Sequence, residues 1–468
     1  MSIRDIHKPA NIPQLIEHKT LTILMYSVWV NRIDLQDSYN IYTYNGQLDY
    51  YNWFKKEFEA EYIRNMLHKQ DYMILKIIKK IFKFIYNIAK NKIIIKKKQE
   101  KIEYGVNLIG YTFAESGVGE HVRMSAKSFS KTNIKYGLIN FDYGVVSRKM
   151  ATLGNGKIQK SNKYNINIFC INADQMINAY SKLGEEFFSN RLNISYPFWE
   201  LSKFPIEWTY ILKAMDEVWA PTKFIQDSLI SALNNNVIHM PIAVEIPIVP
   251  KRTRFKLGIL EDYFTFLVSF DFLSYIHRKN PWASIKAFNK AFSNGTEKVS
   301  LVIKVMNEDE NSSDWKLLQD LATLDKRIII INKVMNKLDL LSLVSECDCY
   351  VSLHRAEGLG IGPMEAMLLG KPTILTDYSG TKDYANKMNS CLVKYSLIPV
   401  EKGQYVYYYN QVWADPDIDH AAYYMKKLAN DLDYSDRIGN NAKKYITENF
   451  NSFKIGSIYS QRLNKLIL

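Results

Sequence analysis

The run Cys349-Tyr-Val-Ser-Leu-His354-Arg-Ala-Glu357-Gly358-Leu359-Gly360-Ile-Gly362-Pro363-Met-Glu365-Ala-Met-Leu-Leu-Gly370-Lys-Pro372 reads as a strand, a glycine-rich loop and a helix in immediate succession. The glycines at 358, 360 and 362 permit tight turns and close approach of the backbone to a ligand. Pro363 suits the first position of a helix that Gly370 would end. A helix amino terminus then faces the loop, and its unpaired N–H groups and positive dipole end make a site for phosphate oxygens. Glu365 is expected in the first helical turn and Glu357 ahead of the glycines, on different backbone elements but within reach of one ligand. Carboxylates beside a phosphate pocket would repel phosphate, so they suit neutral hydroxyls such as the diols of ribose or hexose.

The same alternation extends in both directions. Downstream of the prolines and basic residues of Glu245–Lys256 (EIPIVPKRTRFK), read as a linker, the strands FTFLVSFD, SLVIKVM, RIIIIN, DCYVSLH and PTILT alternate with the helical runs ASIKAFNKAF, DWKLLQDLA and KLDLLSLVSE. Upstream, VNLIGYTF, KYGLINFD and NINIFCIN read as strands and HVRMSAKSFS, EEFFSNRL and IEWTYILKAM as helices, the alternation ending in EVWAP and VIHMPIAV. Strands with helices between them predict an α/β fold: two Rossmann-like, doubly wound domains facing a cleft, with ligands at the carboxyl ends of the strands. The division this predicts is an N-terminal extension over 1–102, a first domain over 103–248, a second over 249–432, and a closing helical stretch over 433–468 able to cross back to the first domain.

A chain of 468 residues with 47% hydrophobic content supports two or three domains with large cores and excludes wholesale disorder. The 61 basic residues exceed the 48 acidic ones by 13, and the stretch Leu75–Lys101, with ten lysines and one acid, holds nine of that excess. Its apolar residues recur at steps of three and four, the profile of an amphipathic helix. Such a helix can lie on an anionic membrane surface or pack on the next domain, and both readings stand. Nucleic-acid binding through this segment is a further reading, but it leaves the glutamate-flanked glycine loop without a purpose. Leu21–Val30 reads as a strand and the region near Trp53–Lys69 as a helix; neither is long and apolar enough to span a bilayer. The first residues lack a signal-peptide pattern, so the expected location is cytoplasmic, at most peripheral to the inner face of the membrane. Cys170, Cys347, Cys349 and Cys391 are too few and scattered for a disulfide framework, and Cys347-Asp-Cys349 lacks the spacing of a zinc site.

Glu357 and Glu365, with seven residues between them and followed by Ala-Met-Leu-Leu-Gly-Lys-Pro, resemble the E-x7-E signature of retaining glycosyltransferases of family 4, which have the GT-B fold. Residues from about 104 to 468 carry the resemblance, and Thr376-Asp-Tyr-Ser-Gly-Thr-Lys-Asp resembles the family's strand and turn after this helix. It implies that Glu357 contacts the donor sugar's hydroxyls and Glu365 the ribose, with Gly358, Leu359, Gly360 and Gly362 forming the donor loop. It also implies that Lys279 and Arg278 grip the diphosphate, although the chain has Phe270-Asp271 where the commoner family form has Gly-Arg. Glu115-Ser-Gly117-Val-Gly119-Glu-His resembles the family's cleft-facing loop in the first domain, which makes Gly117 and Gly119 donor-binding candidates. Tyr196-Pro-Phe-Trp199-Glu200 resembles a stretch of bacterial polysaccharide members, so Trp199 is either an acceptor platform or core, with Glu200 and His121 as further acceptor candidates.

The resemblance therefore implies a retaining, hexosyltransferase-type glycosyltransferase of bacterial cell-surface polysaccharide or glycoconjugate synthesis. Its donor would be a UDP-, GDP- or TDP-sugar and its acceptor a glycan or lipid-linked molecule. No cofactor and no metal are expected, because fixed positive groups can stabilise the leaving diphosphate. The D-x-D runs at Asp415-Pro-Asp417-Ile-Asp419 and Asp431-Leu-Asp433 read as helix caps and surface acids. The alternative is a basic membrane- or nucleic-acid-binding protein with a catalytically silent GT-B fold.

Overall fold

The computed structural model describes residues 33–58, 102–144, 147–151, 158–233 and 237–467, with Leu21, Met25 and Trp29. They fall into two compact units, Met1–Glu103 and Tyr104–Leu468. In the first unit, helix Ile33–Ser38 is followed by helix Tyr44–Trp53, capped by Thr43 Oγ1, which accepts from Gly46 N–H at 3.2 Å, and then by a π-helical turn over Phe54–Phe58. Met25 and Trp29 are helical where Leu21–Val30 was expected to be a strand. The run has only Thr22 and Ser27 among apolar and aromatic residues and so shows no clear period, yet Leu21, Met25 and Trp29 are buried at the four-residue spacing of one helix face. Of the helix expected near Trp53–Lys69, Trp53 and Phe54–Phe58 are helical; the remainder, and the basic segment Leu75–Lys101, lie outside the described residues.

The second unit is built on two six-stranded sheets. The first contains β1 (Glu103–Gly110), β2 (Tyr136–Asn140), β3 (Tyr164–Cys170), β4 (Leu192–Ser195), β5 (Glu217–Ala220) and β6 (Val237–His239), in the order β2-β1-β3-β4-β5-β6. The second contains β7 (Phe264–Asp271), β8 (Val299–Met306), β9 (Ile328–Asn332), β10 (Cys349–Ser352), β11 (Thr373–Thr376) and β12 (Cys391–Val393), in the order β12-β11-β10-β7-β8-β9, and every pairing in it is parallel. Helices Pro281–Ala291 and Ile418–Asn430 cover one face of this sheet, and β8 is buried along seven of its eight residues. Both orders reverse direction once, between β1 and β3 and between β7 and β10, and those reversals are where open α/β sheets place ligands.

Three features join the two halves. The closing stretch forms helices Leu432–Asn449 and Ser452–Ile467. The latter packs on Gly117–Phe129 in the first half so closely that a Cβ at Gly456 would sit 2.4 Å from the Ser128 carbonyl oxygen. Arg462 pairs with the buried Glu217 of β5, and Tyr459 donates to the Pro241 carbonyl at 3.2 Å. An antiparallel hairpin, β13 (Tyr395–Pro399) and β14 (Val412–Pro416), carries a long connection back to the first half. There Gln411 donates to the Lys203 carbonyl at 2.7 Å, Tyr405 donates to Glu200 at 2.6 Å, and Tyr407 meets the edge of Trp208 at 4.9 Å. Thr222 Oγ1 also donates across the cleft to the Gly358 carbonyl at 2.9 Å. Trp208 is buried against Trp199, Phe204 and Tyr407, so Trp208→Ala removes both a core indole and half of this clasp. We expect that variant to lose about 3 kcal/mol in urea denaturation.

Candidate active site

The site grows from the reversal point between β7 and β10. After β7, Asp271 accepts from Leu273 N–H at 2.9 Å and turns the chain, and Tyr275 then takes φ 62° and ψ 103°, a left-handed backbone unusual for a tyrosine. The short helix Ile276–Lys279 that follows delivers Arg278 and Lys279. After β10, the chain brings Glu357 beneath them. Arg278 Nη1 lies 3.0 Å from Glu357 Oε2, and Lys279 Nζ lies 2.5 Å from Glu357 Oε1. Arg278 also donates to the carbonyls of Ala356, at 2.9 Å, and Ser274, at 3.2 Å, which fixes its plane. The backbone of Glu357 is held in turn: its N–H donates to Ser379 Oγ at 2.8 Å, and its carbonyl accepts from Gly380 N–H at 2.9 Å. A Cβ at Gly380 would fall 2.0 Å from the Gly358 carbonyl oxygen, so only glycine fits there.

Burial by itself would raise the Glu357 carboxyl, but Lys279 and Arg278 more than offset it and hold the group at about 2. The acid is therefore ionised, and the trio carries a net positive charge beyond the carboxyl ends of the central strands β7 and β10. Burial works the other way on Lys279, which falls below the ordinary lysine range despite Glu357, with Arg278 beside it adding to the fall. Lys279 is the more accessible base, its side chain 22% exposed against 5% for Arg278.

The glycine loop leads into helix Ile361–Leu368, two residues earlier than Pro363 implied. Gly360 takes φ 85° as N-cap, and proline is tolerated within a first turn, whose N–H groups have no intrahelical partner. Glu365 accordingly sits in the second turn rather than the first. Its side chain is 7% exposed and ion-paired to Lys337, at the start of helix Lys337–Glu346. Gly358 lies against the first domain, where a Cβ would meet the Trp199 carbonyl oxygen at 3.2 Å. Leu359 is buried, Gly360 accepts from Tyr384 Oη at 3.0 Å, and Gly362 sits over the Tyr350 hydroxyl.

Across the cleft the two glycines of the first domain part company. Gly117 opens helix Gly117–Phe129 and faces Ile361, the first residue of the glutamate helix, 3.9 Å from where its Cβ would be. Gly119 is packed on its own turn, its Cβ position 2.2 Å from the Ala114 carbonyl oxygen. Trp199 is buried, donates to the Lys203 carbonyl at 3.0 Å and meets Phe204, Trp208 and Tyr405 edge-on or tilted. Glu200 accepts from Tyr405, whose ring lies 4.6 Å from that of Tyr275 at the head of the basic turn. His121 is fully buried against Tyr196 and Phe198 with neither ring nitrogen bonded, and burial drops it to about 3, so it is neutral. A groove of about 420 Å³ opens beside the hairpin connection, lined by Lys203, Pro399, Val400 and Tyr408–Val412, and includes neither glutamate.

Of the D-x-D acids, Asp417 and Asp431 cap helices, Asp419 pairs with Lys290, and Asp415 lies 3.4 Å from Arg355. Among the described residues no group of three or more His, Cys, Asp or Glu is arranged to hold a metal ion, and all four cysteines are free and buried. Sequence reading missed Thr222, Lys337, Tyr384 and Tyr405. Only Lys337 left a trace: a lysine opening a helix opposes the dipole and calls for a compensating acid.

Removing the Glu357 charge leaves Arg278 buried without its counter-ion, so Glu357→Gln should cost about 3 kcal/mol at neutral pH. Because the folded carboxyl titrates below its unfolded value of about 4.3, the contribution is present above that pH and disappears as pH falls toward about 2. Urea denaturation of both proteins across that range should show the gap closing in acid.

Residues 251–445 match the family model described as glycosyl transferases group 1. No curated protein matches the chain. Among solved structures, HepE of Anabaena in complex with UDP and glucose is similar with a TM-score of 0.56 at 14% identity, covering 77% of this chain and 100% of that one. Sucrose-phosphate synthase of Thermosynechococcus elongatus has a TM-score of 0.55 at 12% identity, covering 78% and 99%. A glycosyltransferase of Rickettsia africae has a TM-score of 0.54 at 12% identity, with the same coverage. The fold of residues 104–467 is that of the GT-B glycosyltransferases, and with the match over residues 251–445 it supports a group 1 glycosyltransferase.

Proposed function

We propose that the chain transfers a hexose from a nucleoside-diphosphate sugar to a glycan or lipid-linked acceptor, with retention at the anomeric carbon, in bacterial cell-surface polysaccharide or glycoconjugate assembly. One observation carries this reading: Glu357, Lys279 and Arg278 form a preorganised charged cluster at the reversal point of the second sheet. In the transfer the bond from the anomeric carbon to the diphosphate oxygen breaks, and its electron pair leaves with the diphosphate. An oxocarbenium-like state develops, and the acceptor hydroxyl bonds to the same face. The hydroxyl proton passes to a phosphate oxygen of the donor. Lys279, then Arg278, offset the charge that accumulates on the diphosphate, with the amides of Ile361 and Gly362 at the helix start adding fixed dipoles. Glu357 is freed to accept from the sugar hydroxyls, and Glu365 from the ribose. Glu200, beside the basic turn through Tyr405, fits the acceptor side better than the enclosed Trp199 and His121.

HepE was solved with UDP and glucose, which supports testing UDP-sugars first, and no metal is assigned a part. Thermal-shift measurement over UDP-, GDP-, TDP- and ADP-sugars should raise the melting temperature for one base, since a ligand bound only by the folded state stabilises it by mass action. Glu365→Ala should abolish that shift, and transfer, while keeping the wild-type circular dichroism. Transfer by the wild type should persist in EDTA, with an anomeric proton coupling in the product that matches the donor's configuration. No shift with any donor would overturn the reading.

We further propose peripheral attachment to an anionic membrane through Leu75–Lys101, supported by its nine excess positive charges. No described helix is long and apolar enough to cross a membrane. Co-sedimentation with phosphatidylglycerol vesicles should fall as salt rises, and equal binding to phosphatidylcholine vesicles would contradict the proposal.

A further inference from the structure

Lys337 stands where a lysine is locally unfavourable. It opens helix Lys337–Glu346, whose Asn336 cap already accepts from Asp339 N–H at 2.9 Å, so its ammonium sits at the positive end of the dipole. Its partner lies on another element: Nζ is ion-paired to Oε1 of Glu365, whose side chain is 7% exposed while that of Lys337 is 42% exposed. A carboxylate so enclosed pays heavily in lost hydration and would be driven to its neutral form without a cation in contact. A neutral carboxyl would offer a ribose diol a weaker acceptor than an ionised one.

We infer that Lys337 is a positioning residue for the donor's ribose: its ammonium holds the Glu365 carboxylate in its charged, hydrogen-bond-accepting form and orients it. The inference rests on the assignment of Glu365 to the ribose. The groups that face Glu365 come from three directions. Lys337 reaches it from its own helix, Tyr350 from β10, and Glu120 from helix Gly117–Phe129 across the cleft, with Arg123 bound to Glu120 at 2.7 Å and influencing Lys337. The last pair belongs to the first domain, whose Gly117 faces Ile361 at the start of the glutamate helix. Burial raises the Glu365 carboxyl, Lys337 opposes the rise, and Glu120 adds to it. Reciprocally, burial alone would lower Lys337, but Glu365 and Glu120 hold it above the ordinary lysine value. Lys337 thus feels two carboxylates, one from each domain, and is in contact with Glu365.

The sign of the effect is definite. Glu365 accepts ribose hydroxyls when ionised, so donor affinity falls as pH drops through its titration. Without Lys337 that fall starts at higher pH, and without the Glu120 charge it starts at lower pH. The test is isothermal titration of UDP, GDP, TDP or ADP, whichever base the thermal-shift panel selects, from about pH 5 to 8, where folded proteins tend to be most stable. Lys337→Met should move the acid limb of the Kd profile upward by about 1 to 3 pH units. Lys337→Arg should restore it, and Glu120→Gln should move it the other way. Lys337→Gln replaces the methionine variant if the latter does not fold. A Lys337→Met profile that superimposes on the wild type, or an affinity changed equally at every pH, would overturn the inference while leaving the ribose assignment intact. Full affinity in Glu365→Ala would overturn both.

Discussion

The architecture of the site turns on one buried carboxylate. Glu357 cannot be enclosed as an anion unless cations meet it, and the two that do come from the opposite strand of the sheet's reversal point, on a turn that begins with a left-handed Tyr275. The requirement ties β7 to β10 and sets the height of the glycine loop. The loop's carbonyls then become available to the other domain, where Thr222 donates to Gly358. One charge-pairing constraint therefore links the local backbone, the sheet edge and the closure of the cleft.

The second constraint is contact between halves. The helix Ser452–Ile467 lies on the first domain although the chain reaches it from the second, and the connection between β13 and β14 clasps the Trp199–Trp208 segment. These contacts hold the Trp199–Trp208 segment and the basic turn in one register: Glu200, Tyr405 and Tyr275 form a continuous path from the first domain to the head of the turn that bears Arg278 and Lys279.

Most strands were legible because a parallel sheet covered on both faces is made of short apolar runs bounded by turns, and FTFLVSFD, SLVIKVM and RIIIIN each met that description. What escaped were β4, β12 and the β13–β14 hairpin, whose three to five residues lack the length for a period, and the helical character at Met25 and Trp29. The glutamate helix begins two residues before Pro363 because proline fits any position of an opening turn, not its first alone.

Local periodicity, with the conformations only glycine and proline allow, makes the order of elements, the two-domain plan and the two acids around a glycine turn readable along the chain. Which groups share a charge is set by folding: Glu357 lies against Lys279 and Arg278, Glu365 against Lys337, and Trp199 is enclosed while Glu200 reaches Tyr405. The reason is that burial and Coulomb interaction depend on distance through space, and residues 205 positions apart, such as Glu200 and Tyr405, carry no mark in the chain that they will meet.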